Sequence, residues 1–144
     1  MLIFRDMEHR LAFDLHVLTE RMDRSADRML TAERGLSYRR FLALLLLDGL
    51  GTATQRQLAD ALGVTEPSVS RMVGVLGDAG LLDVRPDPGG GNRRQLALTP
   101  EGERTVETCL RLLEGRFAAV LERSGIDYEE YAEQTRRLLD AFEG

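Results

Sequence analysis

At 144 residues, with 43% hydrophobic and 30% charged side chains, the chain is sized and composed for one soluble domain with a real core. A single Cys excludes an intrachain disulfide and any CxxC pair for zinc or redox work, which suits a reducing cytoplasm. The longest apolar run, Phe41 to Leu47, is too short for a bilayer, and Arg5, Asp6, Glu8 and Arg10 interrupt the first apolar residues, unlike a signal peptide. A cytoplasmic protein without a membrane partner is expected. Aromatic residues are 6% and Trp is absent, so Leu, Val and Ala must fill the core, which favours helices.

The net charge of −5 is unevenly spread. From Arg34 to Thr99 there are 8 Arg against 6 acidic residues, a net of +2. The remainder holds 11 Arg against 18 acids, a net of −7. A mildly basic middle between acidic ends fits a chain whose centre meets phosphate and whose ends do something else. All 19 basic residues are Arg, which we read as composition rather than function, although Arg suits bidentate contacts to phosphate and guanine.

In chain order, Leu11, Leu15, Leu18, Met22, Ala26 and Met29 form a helical stripe through most of the first thirty residues. So long a stripe on so small a protein cannot be buried by its own domain alone. After a break near Gly35, Ser37 caps a second helix carrying Phe41, Leu42 and Leu44 to Leu47. It is apolar nearly all round and therefore central, and Gly49 and Gly51 end it. Thr54-Gln55-Arg56-Gln57 is a capping box that opens a helix bearing Leu58, Ala59 and Leu62, which Gly63 stops. Thr65 then caps again, with Val64 and Val69 at the staple positions and Pro67 in the first turn. This fourth helix shows Val69, Met72, Val73 and Leu76 on one face and ends at Ala79-Gly80.

Two short helices joined at Gly63-Val64 read as a helix-turn-helix. Leu81 to Arg85 and Gln95 to Thr99 flank the turn-rich Pro86 to Asn92 and alternate apolar residues (Leu82, Val84; Leu96, Leu98), which predicts a β-hairpin wing. Thr99-Pro100 opens a fifth helix with Val106, Cys109, Leu110, Leu113, Phe117, Val120 and Leu121. Ser124-Gly125 breaks it, and Asp127 caps a last helix with Tyr128, Tyr131, Thr135, Leu138, Leu139 and Phe142. The expected fold is mainly α with a small β-hairpin wing, a winged helix-turn-helix core plus long dimerisation helices. Its expected regions are an N-terminal dimerisation helix (1–33), a winged helix-turn-helix DNA-binding region (34–99) and C-terminal dimerisation helices (100–144), intertwined as one domain. Pairing with a second copy, most simply as a two-fold homodimer, would bury the stripes.

The second helix of a helix-turn-helix presents its N-terminal residues to base edges in the major groove. Burying Val69, Val73 and Leu76 leaves Pro67, Ser68, Ser70, Arg71 and Gly74 towards solvent. Ser68 and Ser70 can donate to bases or phosphates, and Arg71 can fork onto guanine O6 and N7 or clamp a phosphate. The free N–H groups near Thr65 favour a phosphate. Glu66 should point aside or accept from a cytosine amino group. Gln55 and Arg56 are candidate phosphate contacts, whereas Gln57 reads as ordinary capping. Arg39 and Arg40 either touch the DNA backbone or only solvate their helix. At the wing tip, Arg93 and Arg94 follow three Gly that permit close approach to a narrow, electronegative minor groove.

These segments together resemble a known family. Thr54-Gln55-Arg56-Gln57-Leu58-Ala59, Val64 to Val73, Leu76 with Gly80-Leu81-Leu82, Arg85-Pro86-Asp87-Pro88, and Leu96-Ala97-Leu98-Thr99-Pro100-Glu101-Gly102 look like the multiple-antibiotic-resistance regulator (MarR) family. The resemblance covers the whole chain, since the first and last helices fit that family's dimerisation region. It implies a dimeric winged-helix regulator, usually a repressor, on a pseudo-palindromic double-stranded operator. Many such proteins release DNA when a small, often aromatic anionic effector binds between dimer helices and winged domain. Family wings often carry an Asp-x-Arg near the tip, whose Arg enters the minor groove. Aligned without gaps from Arg85 to Thr99, Gly90 takes the Asp position and Asn92 the Arg position, and the charge is displaced to Arg93 and Arg94. Without that Asp, a looser tip is expected.

Other sites carry less. His9 and His16 share a helix face, with Glu20 a turn after His16, and could begin a metal site, but further ligands are lacking, so neither a metal nor a cofactor is expected. Cys109 falls on an apolar stripe and reads as a small buried hydrophobe rather than a redox sensor. Tyr128, Tyr131 and Phe142 could line a pocket but sit at the spacing of core or interface residues. No triad, phosphate loop or zinc-hydrolase motif is present, and Gly89-Gly90-Gly91 lacks the Lys and helix of a P-loop, so an enzyme is not expected. Two other functions compatible with the pattern are a dimeric winged-helix protein–protein adaptor and a metal-responsive regulator.

Overall fold

The structure is a computed structural model, and it describes residues 10–91 and 94–144. Helices α1 (Leu11–Arg34), α2 (Tyr38–Leu50), α3 (Gln55–Leu62) and α4 (Glu66–Asp78) precede a β-hairpin. Helices α5 (Pro100–Ser124) and α6 (Tyr128–Glu143) follow it. Two compact units are present, one reaching to Val106 and the other Glu107–Gly144, with the division inside α5.

Short-range chemistry sets the helix boundaries. The side chains of Ser37, Thr54, Thr65 and Asp127 each accept the N–H three residues on, at 3.2, 3.1, 3.3 and 3.0 Å. At Thr54 the box closes, because its own N–H donates to the Gln57 Oε1 at 2.8 Å. The α3–α4 turn is as tight as the sequence predicts. Gly63 is left-handed at φ 69°, and the Val64 N–H reaches the Ala59 carbonyl at 3.0 Å. One expected boundary moves. Gly49 lies within α2, and Gly51, at φ 78°, is the residue that ends it.

The core of the first unit is built from Leu30 of α1, Phe41, Leu44 and Leu47 of α2, Leu58 of α3, Val69 and Leu76 of α4 and Leu96, all fully buried. Helix α2 packs on α1, α3 and the sheet, the central place its all-round apolar surface demands. The α1 stripe divides. Ala26, Met29 and Leu30 are buried, whereas Leu11, Leu15, Leu18 and Met22 are 37–69% exposed.

The sheet has three strands, not the two of a simple hairpin. β1 (Thr52–Ala53), β2 (Leu82–Pro86) and β3 (Arg94–Leu98) lie in the order β1-β3-β2, all antiparallel. Ala53 pairs with Leu96 and Thr52 with Ala97, so β3 is central and both Leu96 and Ala97 are buried. Val84, across from Leu96 on the outer strand, is 40% exposed despite its place in the alternation.

The base of the hairpin is pinned to α5. The Thr99 hydroxyl donates to the Gly80 carbonyl at 2.6 Å and accepts the Gly102 N–H at 3.0 Å, while the Thr99 N–H reaches the Leu81 carbonyl at 3.2 Å. Gly102 is buried there, and a Cβ on it would overlap the Leu81 carbonyl oxygen.

Within the second unit, Cys109 and Leu121 are buried. The Phe117 and Tyr131 rings lie 6.3 Å apart, tilted. The Tyr128 hydroxyl donates to the Glu114 carboxylate at 2.6 Å. That bond, with the carboxylate's charge, raises the phenol above its ordinary value. Helix α6 buries no residue completely, and Leu138, Leu139 and Phe142 are 55, 61 and 90% exposed.

Candidate nucleic-acid interface

Helix α4 separates its faces cleanly. Val69, Met72, Val73 and Leu76 are buried. At 100° per residue, the line opposite them runs through Pro67, Arg71, Gly74 and Asp78, all exposed. Ser70 is also exposed, but Ser68 is half-buried, since it lies nearer the flank of the core face than the solvent line. Val75 is 43% exposed beside Arg71, a position that sequence patterning had not marked.

Arg71 makes no hydrogen bond or ion pair with any other described residue, so its guanidinium stands available on the outward line. Thr65 is exposed, with its hydroxyl occupied by the Ser68 N–H. What it offers a ligand is the α4 N-terminus it caps, where Glu66 is also exposed. On α3, Arg56 is exposed, whereas Gln55 is half-buried and correspondingly less free than its position at the helix start predicts. Gln57 is engaged in the capping box, as expected. Arg39 is exposed and Arg40 half-buried at the start of α2.

On the wing, Arg94 is exposed at the start of β3 and pairs across the hairpin with Pro86. Arg93 and Asn92 lie outside the described residues. The sequence leads one to expect a loose tip, but Asp87 braces its first half. The Asp87 carboxylate accepts the Gly89 N–H at 2.9 Å and its carbonyl accepts the Gly90 N–H at 3.1 Å. Gly90 and Gly91 take φ of 87° and 76°, which only glycine adopts freely. Sequence reasoning also passed over Arg85, exposed on β2 with its guanidinium 3.5 Å from Asp83. Its signal is the alternation, which places Asp83 and Arg85 on the sheet face opposite the buried Leu82.

His16 lies 3.6 Å from Glu20 on α1, and His9 falls outside the described residues. Among the described residues no group of three or more His, Cys, Asp or Glu is placed to hold a metal ion. Among them, too, no helix is long and apolar enough to cross a membrane.

Residues 34–91, which span α2 to the wing tip, match the sequence profile of the MarR family. The matched stretch is the winged region, 58 of the chain's 144 residues. A cysteine-to-serine mutant of MarR from E. coli superposes with a TM-score of 0.79 at 20% identity, covering 95% of this chain and 99% of that one. The same mutant complexed with operator DNA gives 0.73 at 20% identity, covering 96% of each chain. NadR in complex with 4-hydroxyphenylacetate gives 0.74 at 22% identity, covering 96% of this chain and 95% of that one. At these identities the likeness establishes a shared fold. A comparison with curated protein sequences finds no match.

Proposed function

We propose that this chain is a regulator of the MarR family that binds double-stranded DNA, a homodimeric repressor that a small aromatic or anionic effector releases from a pseudo-palindromic operator. The observation that carries the reading is the outward line of α4. An arginine without a partner among the described residues stands in the second turn of a capped helix, and the β2–β3 wing follows directly. Arg71 reads or clamps DNA, with Pro67, Ser70 and the half-buried Ser68 around it, the Thr65 N-terminus facing a phosphate, and Arg56 and Gln55 positioning the backbone. Arg94, with Arg93 beside it in sequence, reaches the minor groove.

The homodimer rests on the open apolar stripes. Leu11, Leu15, Leu18 and Met22 on α1 and Leu138, Leu139 and Phe142 on α6 are exposed in the isolated chain. Full burial of a fully exposed side chain of this kind contributes about 1.5–3 kcal/mol, and the third to nine-tenths still open on each of these contributes in proportion, which summed over both copies gives a symmetric partner its driving force. That a protein of this fold is known in complex with operator DNA, and another with 4-hydroxyphenylacetate, supports both partner classes.

The test is a mobility shift on the region upstream of the chain's own gene, at low salt. Wild type should retard it and Arg71→Ala should do so at least tenfold more weakly. The net charge of −5 favours a protein–protein adaptor as a second reading, which predicts no retardation by either.

A further inference from the structure

We infer that Gly74 sets how deeply α4 enters the major groove, acting as a positioning residue for Arg71. The inference rests on the DNA-binding reading above. Nothing in the fold asks for glycine at this position. Gly74 lies inside a regular helix without a positive φ, and a Cβ built on it meets no atom within 4 Å. A helix interior is nevertheless weakened by glycine relative to alanine, through backbone entropy.

The place of Gly74 on the helix gives the reason. It occupies the outward line midway along α4, after Pro67 and Arg71 and before Asp78. The rise of an α-helix puts it about 4.5 Å beyond Arg71, little more than the ~3.4 Å between successive bases. A helix that presents Arg71 to a base edge therefore brings the backbone at Gly74 against the neighbouring base pair. Asp78, one turn on and exposed, repels phosphate and marks where the contact ends. The other glycine of α4, Gly77, is half-buried, lies off this line and faces Leu82 at an ordinary 3.9 Å. A methyl at Gly74 would hold the helix away from the groove floor and shorten the reach of Arg71, without touching the fold.

The experiment compares wild type, Gly74→Ala, Gly74→Leu and, as a control, Gly49→Ala. Gly49 is a second helical glycine with nothing within 4 Å, placed in the last turn of α2. The probe is the duplex that wild type enriches from a pool with randomised centres. All three variants should melt above wild type, by about 2–4 °C for one added helix former. Affinity for the duplex should fall about tenfold in Gly74→Ala and about a hundredfold in Gly74→Leu, and stay within twofold in Gly49→Ala, where tenfold is 1.4 kcal/mol. The slope of affinity against salt should stay that of wild type, because the phosphate contacts remain. Wild-type affinity in Gly74→Leu overturns the inference and leaves the DNA reading standing. A changed sedimentation coefficient in the Gly74 variants also overturns it, because the glycine would then serve a subunit contact. Failure of wild type to enrich any duplex overturns the reading, and the inference with it.

Discussion

Gly102 offers the sharpest structural test, because the direction of its effect is opposite to what helix propensity alone dictates. In the first turn of α5 an alanine should be worth up to about 1 kcal/mol over glycine. Here the added Cβ would overlap the Leu81 carbonyl oxygen and stand 3.0 Å from its carbon, with the Leu98 Cβ at 3.4 Å. Two of these neighbours are backbone atoms, so no side-chain rotation relieves the clash. The start of α5 must retreat by about an ångström, and that retreat strains the Thr99 N–H bond to Leu81 at 3.2 Å and the Thr99 hydroxyl bond to Gly80 at 2.6 Å. Overpacking costs about 1–3 kcal/mol, and two weakened hydrogen bonds cost about 1 kcal/mol each. After the propensity gain is deducted, Gly102→Ala should destabilise the chain by about 2–4 kcal/mol. Its thermal midpoint should fall by about 6–12 °C, read by circular dichroism at one fixed protein concentration. A midpoint equal to or above that of wild type would refute the close approach and the pinning of the wing base derived from it.

Other substitutions probe separate parts of the account. Thr65→Ala should cost about 1 kcal/mol in urea unfolding by removing the α4 cap, and an unchanged midpoint would show that the cap contributes nothing. Arg94→Ala should reduce the slope of log affinity against log salt by about one, and an unaltered slope would take the wing strand off the phosphate. Leu15→Asp with Leu18→Asp should convert a dimer to a monomer in sedimentation equilibrium at micromolar protein; a persistent dimer would show that α1 is not the seam. The Tyr128 ring resonance should titrate above the ordinary tyrosine value and return towards it in Glu114→Gln. Because the folded chain keeps this proton longer than the unfolded one, the stability it contributes is present below about pH 10 and is lost as pH rises through the folded value.

How far the sequence speaks depends on the range of the interaction involved. The caps at Ser37, Thr54, Thr65 and Asp127 are legible because each joins a side chain to an N–H three residues away. The outward face of α4 is legible because 3.6-residue periodicity fixes it, although the partial burial of Ser68 and Gln55 is decided by neighbouring elements. The strand Thr52–Ala53 is not legible. Two residues show no alternation, and the strand exists only because Ala53 and Thr52 meet Leu96 and Ala97, more than forty positions on. The bracing of the tip by Asp87 is legible as an Asp followed by Pro and Gly, whereas the family pattern places its own Asp at Gly90. The division of the α1 stripe into a buried end and an open length follows from chain length. The first unit supplies core enough for Ala26, Met29 and Leu30, while Leu11 to Met22 stay open.

The central claim is that the winged core reads duplex DNA as a symmetric pair. Hydroxyl-radical footprinting on the duplex that wild type enriches from a randomised pool tests it most directly. Two protected patches, about one helical turn apart centre to centre and on one face of the duplex, are expected, each lost in Arg71→Ala. A chain that enriches no duplex at low salt, or a footprint that Arg71→Ala leaves intact, would contradict it.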